Sequence, residues 1–283
     1  MKAFLECIPC IIRQTIEILQ RTVKSKKRRR QILSAVIKKL ARTDIQDRTP
    51  PEATKFAHDV IQRMTGIRDL YKEPKRLNNL EALELYPYLK TLVKKASDPL
   101  LMAIRLAIAG NIIDYGALSE FNIKHAVRDV LKNKFALSDY KQFKNDLERA
   151  KLLLYIGDNA GEIVFDKLLV EELIKKVKVI FAVKSRPVLN DALRADARMV
   201  GMDKVVKVIE SGSNHAGTTV SKGTKEFKQL FKEADMVIAK GQGNFETLDR
   251  EKKKIYFLLK MKCPTLARAS GFKKDDIILK ALI

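Results

Sequence analysis

The spacing of apolar positions divides the chain into two parts. From Leu5 to about Lys144, apolar residues recur at three- and four-residue steps in "IIRQTIEILQRTV", "RRQILSAVIKKLART", "PEATKFAHDVIQRMTG", "LEALELYPYLKTLVKKA", "PLLMAIRLAIAGNIIDYG" and "IKHAVRDVLKN". That is the period of amphipathic helices. Pro50-Pro51, Pro74 and Pro99 punctuate these segments where helix starts and turns belong. No segment of this half reads as a strand.

After "KNDLERA" the pattern changes. Short β-rich runs at 152–157 (LLLYIG), 177–183 (VKVIFAV), 204–210 (KVVKVIE), 236–241 (MVIAKG) and 264–269 (PTLARA) predict strands. Helices are predicted between them over Ala160–Lys176, Leu189–Val200, Lys222–Ala234 and Phe245–Tyr256. Continuous apolar strands alternating with helices imply a parallel sheet covered on both faces. The expected fold is α/β: a Rossmann-like, doubly wound, mainly parallel sheet with an all-helical N-terminal subdomain. The expected boundary separates residues 1–147 from residues 148–283.

With 46% hydrophobic and 32% charged residues, the chain has the balance of a globular protein rather than a disordered one. The absence of Trp gives little support to a base-stacking surface. Glu6, Arg13 and Glu17 interrupt the apolar N-terminal segment, and no uncharged run reaches the roughly 20 residues that span a bilayer. A cytoplasmic protein with no membrane partner is therefore expected. The net charge of +22 raises the question of an anionic partner: nucleic acid, membrane or a phosphorylated small molecule. Only Lys24–Arg30 (KSKKRRR) is a dense basic block, and the other cations are scattered among acids on helix faces. A solvated surface accounts for that distribution, so nucleic acid is not the expected partner.

Three cysteines without secretory context argue against a disulfide framework. Cys7-Ile8-Pro9-Cys10 has spacing that suits a second metal or a redox pair, and Cys263 or a histidine could join it in space. Two thiols that merely pack are the competing reading, since a tetrahedral zinc site needs four ligands.

Ligands of open parallel sheets bind beyond the carboxyl ends of the strands. Four such ends are rich in Gly, carboxylate, amide and basic groups: Gly157–Glu162, Lys184–Asp191, Ser211–Thr218 and Lys240–Glu246. Asp158, Asn159 and Asp191 are oxygen donors of the kind that Mg²⁺ or Mn²⁺ prefers. Glycines and helix N-termini offer N–H groups to an anion, and Lys240 with Lys184 or Arg186 would add positive charge. Metal plus anion-binding loops points to phosphoryl chemistry. Each acid has a plainer reading: Asp158 or Asn159 as helix cap with Glu162 completing a capping box, and Asp191 in a first helical turn. "GDNAGE" lacks the dinucleotide fingerprint, which also weighs against a methyltransferase, and no phosphate-cradling P-loop motif occurs. In the helical half, Asn111 and Asp114 lie one turn apart and are candidates for the substrate cleft.

Taken in order, "CIPC", "AGNIIDYG", "GDNAGEIVFD", "KSRPVLNDA" and "AKGQGNFETL" resemble the domain-of-unknown-function-89 family, the damage-control phosphatases, along nearly the whole chain. The resemblance is to the small stand-alone microbial branch with an N-terminal C-x-x-C. It implies a helical cap on a Rossmann-like core and a metal-dependent phosphatase of phosphorylated metabolites. It further implies that Asp158, Asn159 and Asp191 hold Mg²⁺, Mn²⁺, Co²⁺ or Ni²⁺, and that Lys240 meets the phosphate with Asn244 and Glu246 close by. One departure is "IRDLYKEPK", where Leu70 replaces a proline between Asp69 and Tyr71.

The expected activity is hydrolysis of a phosphomonoester of a small metabolite, sugar phosphate or phosphopantetheine-like, by a metal-activated water. Asp158, Glu162 and Lys240 are the expected catalytic residues, with Glu162 or Asp191 as general base. Asn111, Asp114, Lys184, Ser211, Lys240, Asn244 and Glu246 are the expected substrate contacts. The alternative is a phosphometabolite- or nucleic-acid-binding protein without turnover.

Overall fold

The computed structural model describes residues 1–110, 127, 131 and 134–282. Three helices open the chain: α1 (Cys7–Thr22), α2 (Lys26–Ala41) and α3 (Pro50–Thr65). Each buries one apolar stripe; in α1 it is Ile11, Ile18 and Leu19, and in α2 Ile32, Val36 and Leu40. These stripes meet in a cluster of their own with Ala53, Ala57, Val60 and Ile61 of α3. Local chemistry sets the ends. Thr49 and Glu52 form a reciprocal capping box ahead of Pro50, and Gly66 closes α3 in the left-handed conformation.

The next helices, α4 (Lys72–Lys95) and α5 (Pro99–Gly110), pack differently. α5 is buried along most of its length, as an apolar helix with so few polar positions must be. Its Ala103, Ile104 and Ala107 share one cluster with Leu85 and Leu89 of α4 and with the sheet.

The sheet has seven strands in the order β1-β7-β6-β5-β2-β3-β4. They are β1 (Leu137–Ser138), β2 (Leu152–Ile156), β3 (Lys178–Val183), β4 (Lys207–Glu210), β5 (Met236–Lys240), β6 (Ile255–Lys260) and β7 (Ile277–Leu282). β6, β5, β2, β3 and β4 run parallel, and β7 is antiparallel to β6. Between them lie α6 (Tyr140–Arg149), α7 (Glu162–Leu173), α8 (Arg194–Met199), α9 (Lys225–Glu233), α10 (Gly241–Leu248) and α11 (Pro264–Ala269). Alternate side chains of β2 serve opposite faces: Leu153 and Tyr155 join the cluster under α4, α5 and α7, while Leu154 and Ile156 join one under α9, α10 and α11. The doubly wound, mainly parallel sheet is as expected.

Three local expectations are corrected. Residues 264–269 form helix α11, not a strand: Pro264 occupies the first helical turn and the Cys263 thiol accepts from the Leu266 N–H. The helix predicted through Tyr256 stops at Leu248, and Ile255–Lys260 is a fully covered strand. β7 and the two-residue β1 were not foreseen, and β1 places a strand in the half read as wholly helical. Among the described residues, no helix is long and apolar enough to cross a membrane.

Candidate active site

From β2 the chain runs outward to β3 and β4, then returns to lay β5 on the other side of β2 and continues to β6. The β2–β5 boundary is thus where the winding reverses, and loops that leave it in opposite directions open a crevice at the strand ends. Gly157-Asp158-Asn159 leaves β2 there, and Lys240-Gly241 leaves β5.

The β2 loop is stitched to the loop after β3. Asn159 and Asp191 form an isolated antiparallel bridge, the Ala192 N–H donates to the Asp158 carbonyl at 2.8 Å, and the Ala160 N–H to the Asn190 carbonyl at 2.9 Å. This brings Asp158, Asn159 and Asp191 to one place. None of them is the cap residue of the helix that follows it. α7 begins at Glu162 with Gly161 as its cap residue, and α8 begins at Arg194. The Asn159 amide donates to Asp158 Oδ2 at 2.8 Å and to Glu162 Oε2 at 3.0 Å, which turns its carbonyl oxygen the opposite way. Asp191 is 2% exposed, and its Oδ2 has no hydrogen-bond partner.

Electrostatics set these acids apart. Burial, then the nearby charges of Glu162 and Asp191, push the Asp158 carboxyl well above the usual carboxylate range. Burial raises Asp191 to about 6, opposed by the Lys184 ammonium. Neighbouring acids that resist ionisation in each other's company, beside an amide oxygen, are a donor set that a hard divalent cation satisfies. The residues present fit such an ion: Asp158, Asn159 Oδ1 and Asp191 Oδ2.

Gly241 makes the approach of β5 possible. Its φ is 77°, and a Cβ there would lie 1.9 Å from Asp158 Oδ2. Asp158 therefore abuts the N-terminus of α10, where the N–H groups of the first turn lack intrahelical partners.

Lys240 does not face the crevice as a phosphate ligand. Its side chain is fully buried, and Nζ donates to Glu162 Oε1 at 2.5 Å, Asp166 Oδ1 at 2.6 Å and the Ala107 carbonyl at 2.8 Å. Those acceptors engage all three ammonium protons. Glu162, expected as acid or base, is likewise buried, with one oxygen on Lys240 and the other on Asn159. The geometry gives this pair the work of holding Asn159.

Other expected contacts disperse. Lys184 is buried with Nζ on the Gly217 carbonyl and 3.5 Å from Asp191 Oδ2, so it balances the charge of that buried acid. The Ser211 hydroxyl accepts from the Ser213 N–H and closes a turn. Asn244 donates to the Lys240 and Gly157 carbonyls, clasping β5 to the β2 loop, and its buried Oδ1 has no partner. Glu246 instead lines a cavity with Cys7, Cys10 and Cys263. Asn111 and Asp114 lie outside the described residues.

Sequence reasoning missed a supporting shell. Asp166, one helical turn after Glu162, takes Lys240 and the Tyr155 hydroxyl at 2.8 Å on one oxygen. Asn79 on α4 accepts from the Gly161 N–H at 2.7 Å and donates to Asp196 at 2.8 Å. The four-residue spacing of Glu162 and Asp166 amid apolar neighbours was the available signal; for Asn79 there was none beyond a polar residue in a helix.

A family model for the damage-control phosphatase ARMT1-like domain matches residues 3–278. The chain belongs to this family. It is 34% identical over 282 residues to the damage-control phosphatase PH1575 of Pyrococcus horikoshii, covering 98% of this chain and 97% of that one. A damage-control phosphatase of Archaeoglobus fulgidus is 33% identical over 232 residues, 80% of each chain. The crystal structure of the Pyrococcus protein, described as a DUF89 family protein, superposes with a TM-score of 0.93 at 32% identity and covers 99% of both chains. The fold and family inferred from the motifs are those found, and the names these relatives carry support phosphatase chemistry.

Proposed function

We propose that the chain is a metal-dependent phosphatase acting on phosphomonoesters of small metabolites, of the sugar-phosphate or phosphopantetheine-like kind. The observation that carries this reading is the convergence of Asp158, Asn159 and a buried Asp191, whose only ion-pair contact among the described residues is Lys184 at 3.5 Å, at the point where the sheet reverses its winding. A divalent cation held by these oxygens (Mn²⁺, Co²⁺, Ni²⁺ or Mg²⁺) would supply Lewis acidity to a phosphate oxygen and lower the pKa of water.

The protein's own residues do the positioning. The bridge between Asn159 and Asp191 fixes two donors relative to each other. Glu162 and Asp158 orient the Asn159 amide, and Lys240 anchors Glu162 from below. The start of α10 lies beside Asp158, so a phosphate next to that carboxylate meets a positive helix end that favours growing negative charge. Lys184 keeps the net charge around Asp191 from excluding an anionic substrate.

The test is phosphate release from a panel of sugar phosphates and phosphopantetheine compounds with each of the four metals, for wild type, Asp158→Ala and Asp191→Ala. Turnover should need a metal, and each variant should lose about 100-fold or more in metal affinity or rate while remaining folded by circular dichroism. Near wild-type turnover in either variant sinks the assignment of that residue. A wild type that releases phosphate from nothing and binds RNA tightly below about 0.2 M salt would favour the non-catalytic alternative.

A further inference from the structure

The first turn of α10, which meets Asp158 at Gly241, also walls a cavity of about 230 Å³ through Gln242 and Gly243. The start of α1, α3 and α11 enclose the rest. Phe4, Ile11, Pro50, Pro51, Leu189 and Leu266 give the cavity an apolar lining, and the exposed Glu6 and Cys10 stand at its mouth. Leu189 comes two residues before Asp191, so the cavity borders both the loop that carries that acid and the helix end that faces Asp158. Leu189 also holds a φ of 45°, a left-handed backbone that leucine rarely adopts. Such strain collects at ligand sites.

Gln242, Glu246 and Thr54, polar residues of the lining, are already committed to the protein. Gln242 Oε1 accepts from the Lys262 and Cys263 N–H groups, each at 3.1 Å, and its amide donates to Glu246 Oε1 at 2.9 Å. The Thr54 hydroxyl donates to the Pro50 carbonyl at 3.0 Å. Burial raises the Glu246 carboxyl to about 7 and raises the Cys7 thiol as well, the mark of a poorly hydrated lining. Cys7, Cys10 and Cys263 line the cavity too, but among the described residues these thiols and Glu246 are not gathered into a metal-holding group. They present soft, weakly hydrogen-bonding surface instead.

We propose that this cavity seats the non-phosphate body of the substrate, and that the preferred substrates are phosphomonoesters of largely apolar alcohols rather than of sugars. The inference rests on the phosphatase reading above and chooses within it. With the phosphate at the start of α10, the ester oxygen leads the body past Gly243 and Leu189 into the cavity. Apolar carbons gain there by leaving water, about fourfold in KM for each methylene buried. A hexose would bring several hydroxyls to a wall whose donors and acceptors are spent, and each unpaired hydroxyl costs binding. A second cavity, of about 450 Å³ and lined by Lys55, Gln62, Arg68, Arg186 and Asn214, is the seat a sugar would prefer.

The experiment measures phosphate release from methyl, butyl and hexyl phosphate and from glucose 6-phosphate with Mn²⁺, and in parallel the alkylation of Cys7 and Cys263 by a thiol reagent. Along the alkyl series kcat/KM should rise through KM at near-constant kcat, with glucose 6-phosphate about 100-fold or more below hexyl phosphate. Hexylphosphonate, which cannot be hydrolysed, should slow alkylation of both thiols, while inorganic phosphate should not. Cys10→Trp, at an exposed position, fills the mouth and should bring kcat/KM for hexyl phosphate down to that for methyl phosphate, with folding checked by circular dichroism. Equal kcat/KM for the two esters in the wild type, a preference for glucose 6-phosphate, a hexyl advantage kept by folded Cys10→Trp, or alkylation indifferent to hexylphosphonate would overturn the proposal. Thiol protection without turnover of any compound would sink the phosphatase reading and leave the cavity assignment standing, so the two failures are distinguishable.

Discussion

Gly241 sits where a side chain and Asp158 cannot coexist. An alanine there takes on a left-handed backbone, about 1–2 kcal/mol of strain, and a methyl group 1.9 Å from Asp158 Oδ2. The strain lowers the melting temperature by a few degrees, whereas displacing Asp158 disables a donor. Gly241→Ala should therefore weaken metal binding at least tenfold, a loss out of proportion to its modest effect on stability. Isothermal titration with Mn²⁺ beside a melting curve separates the two; unchanged metal affinity would mean that Asp158 is not a ligand. This residue was legible only as a glycine in a loop after a strand. Asp158, Asn159 and Asp191 were legible because strand ends are where such groups collect, a rule of topology that sequence order alone expresses. Lys240 was legible as a site residue but not in its direction, because its partners Ala107 and Asp166 reach it only once α5 packs on α7.

At the level of elements, the parallel strands β2, β3, β4 and β5 were readable because burial on both faces leaves unbroken apolar runs. The edge was not. The strand Ile255–Lys260 follows closely on a helical pattern that took in its first two residues, and Pro264–Ala269 was assigned by its place in the alternation although Pro suits a first helical turn and Leu and Ala favour a helix. Nor does periodicity tell which helix reaches the site. α4 does so through Asn79, which spans from the Gly161 N–H to Asp196. Asn79→Leu leaves a buried N–H and a carboxylate oxygen short of a partner, a cost of about 1–3 kcal/mol. Amide exchange should accelerate at Gly161 and around the α8 start, with α9 unaffected. Uniform acceleration through the sheet would mean that Asn79 supports the global fold rather than this loop.

Across the whole molecule, proton linkage joins the site to stability. Burial raises Asp191 to about 6 and Asp166 and Glu246 to about 7, and holds Asp158 well above the usual range. Each of these acids keeps a proton when folded that the unfolded chain has released above about pH 4. Their contribution is complete below that value and is lost as pH rises through the folded pKa. Burial acts on the histidines in the other direction: His58 falls to about 4, and His215 is also lowered. Their contribution grows with pH through about 6.5, where the unfolded imidazole is half deprotonated, and levels off about one unit higher. Above about pH 6.5 the raised acids, more numerous than the two histidines, dominate the slope. The global repulsion of a chain at +22 changes little there, because lysines titrate near its pI of about 9.8. The melting temperature of the metal-free protein should thus fall from about pH 6.5 to about pH 8. Mn²⁺ should flatten that fall, since a cation between Asp158 and Asp191 favours their ionised forms. Calorimetry at half-unit intervals, with and without the metal, measures both slopes. A metal-free melting temperature that rises over this interval would mean the buried acids ionise freely, leaving no electrostatic reason for a cation at the switch point.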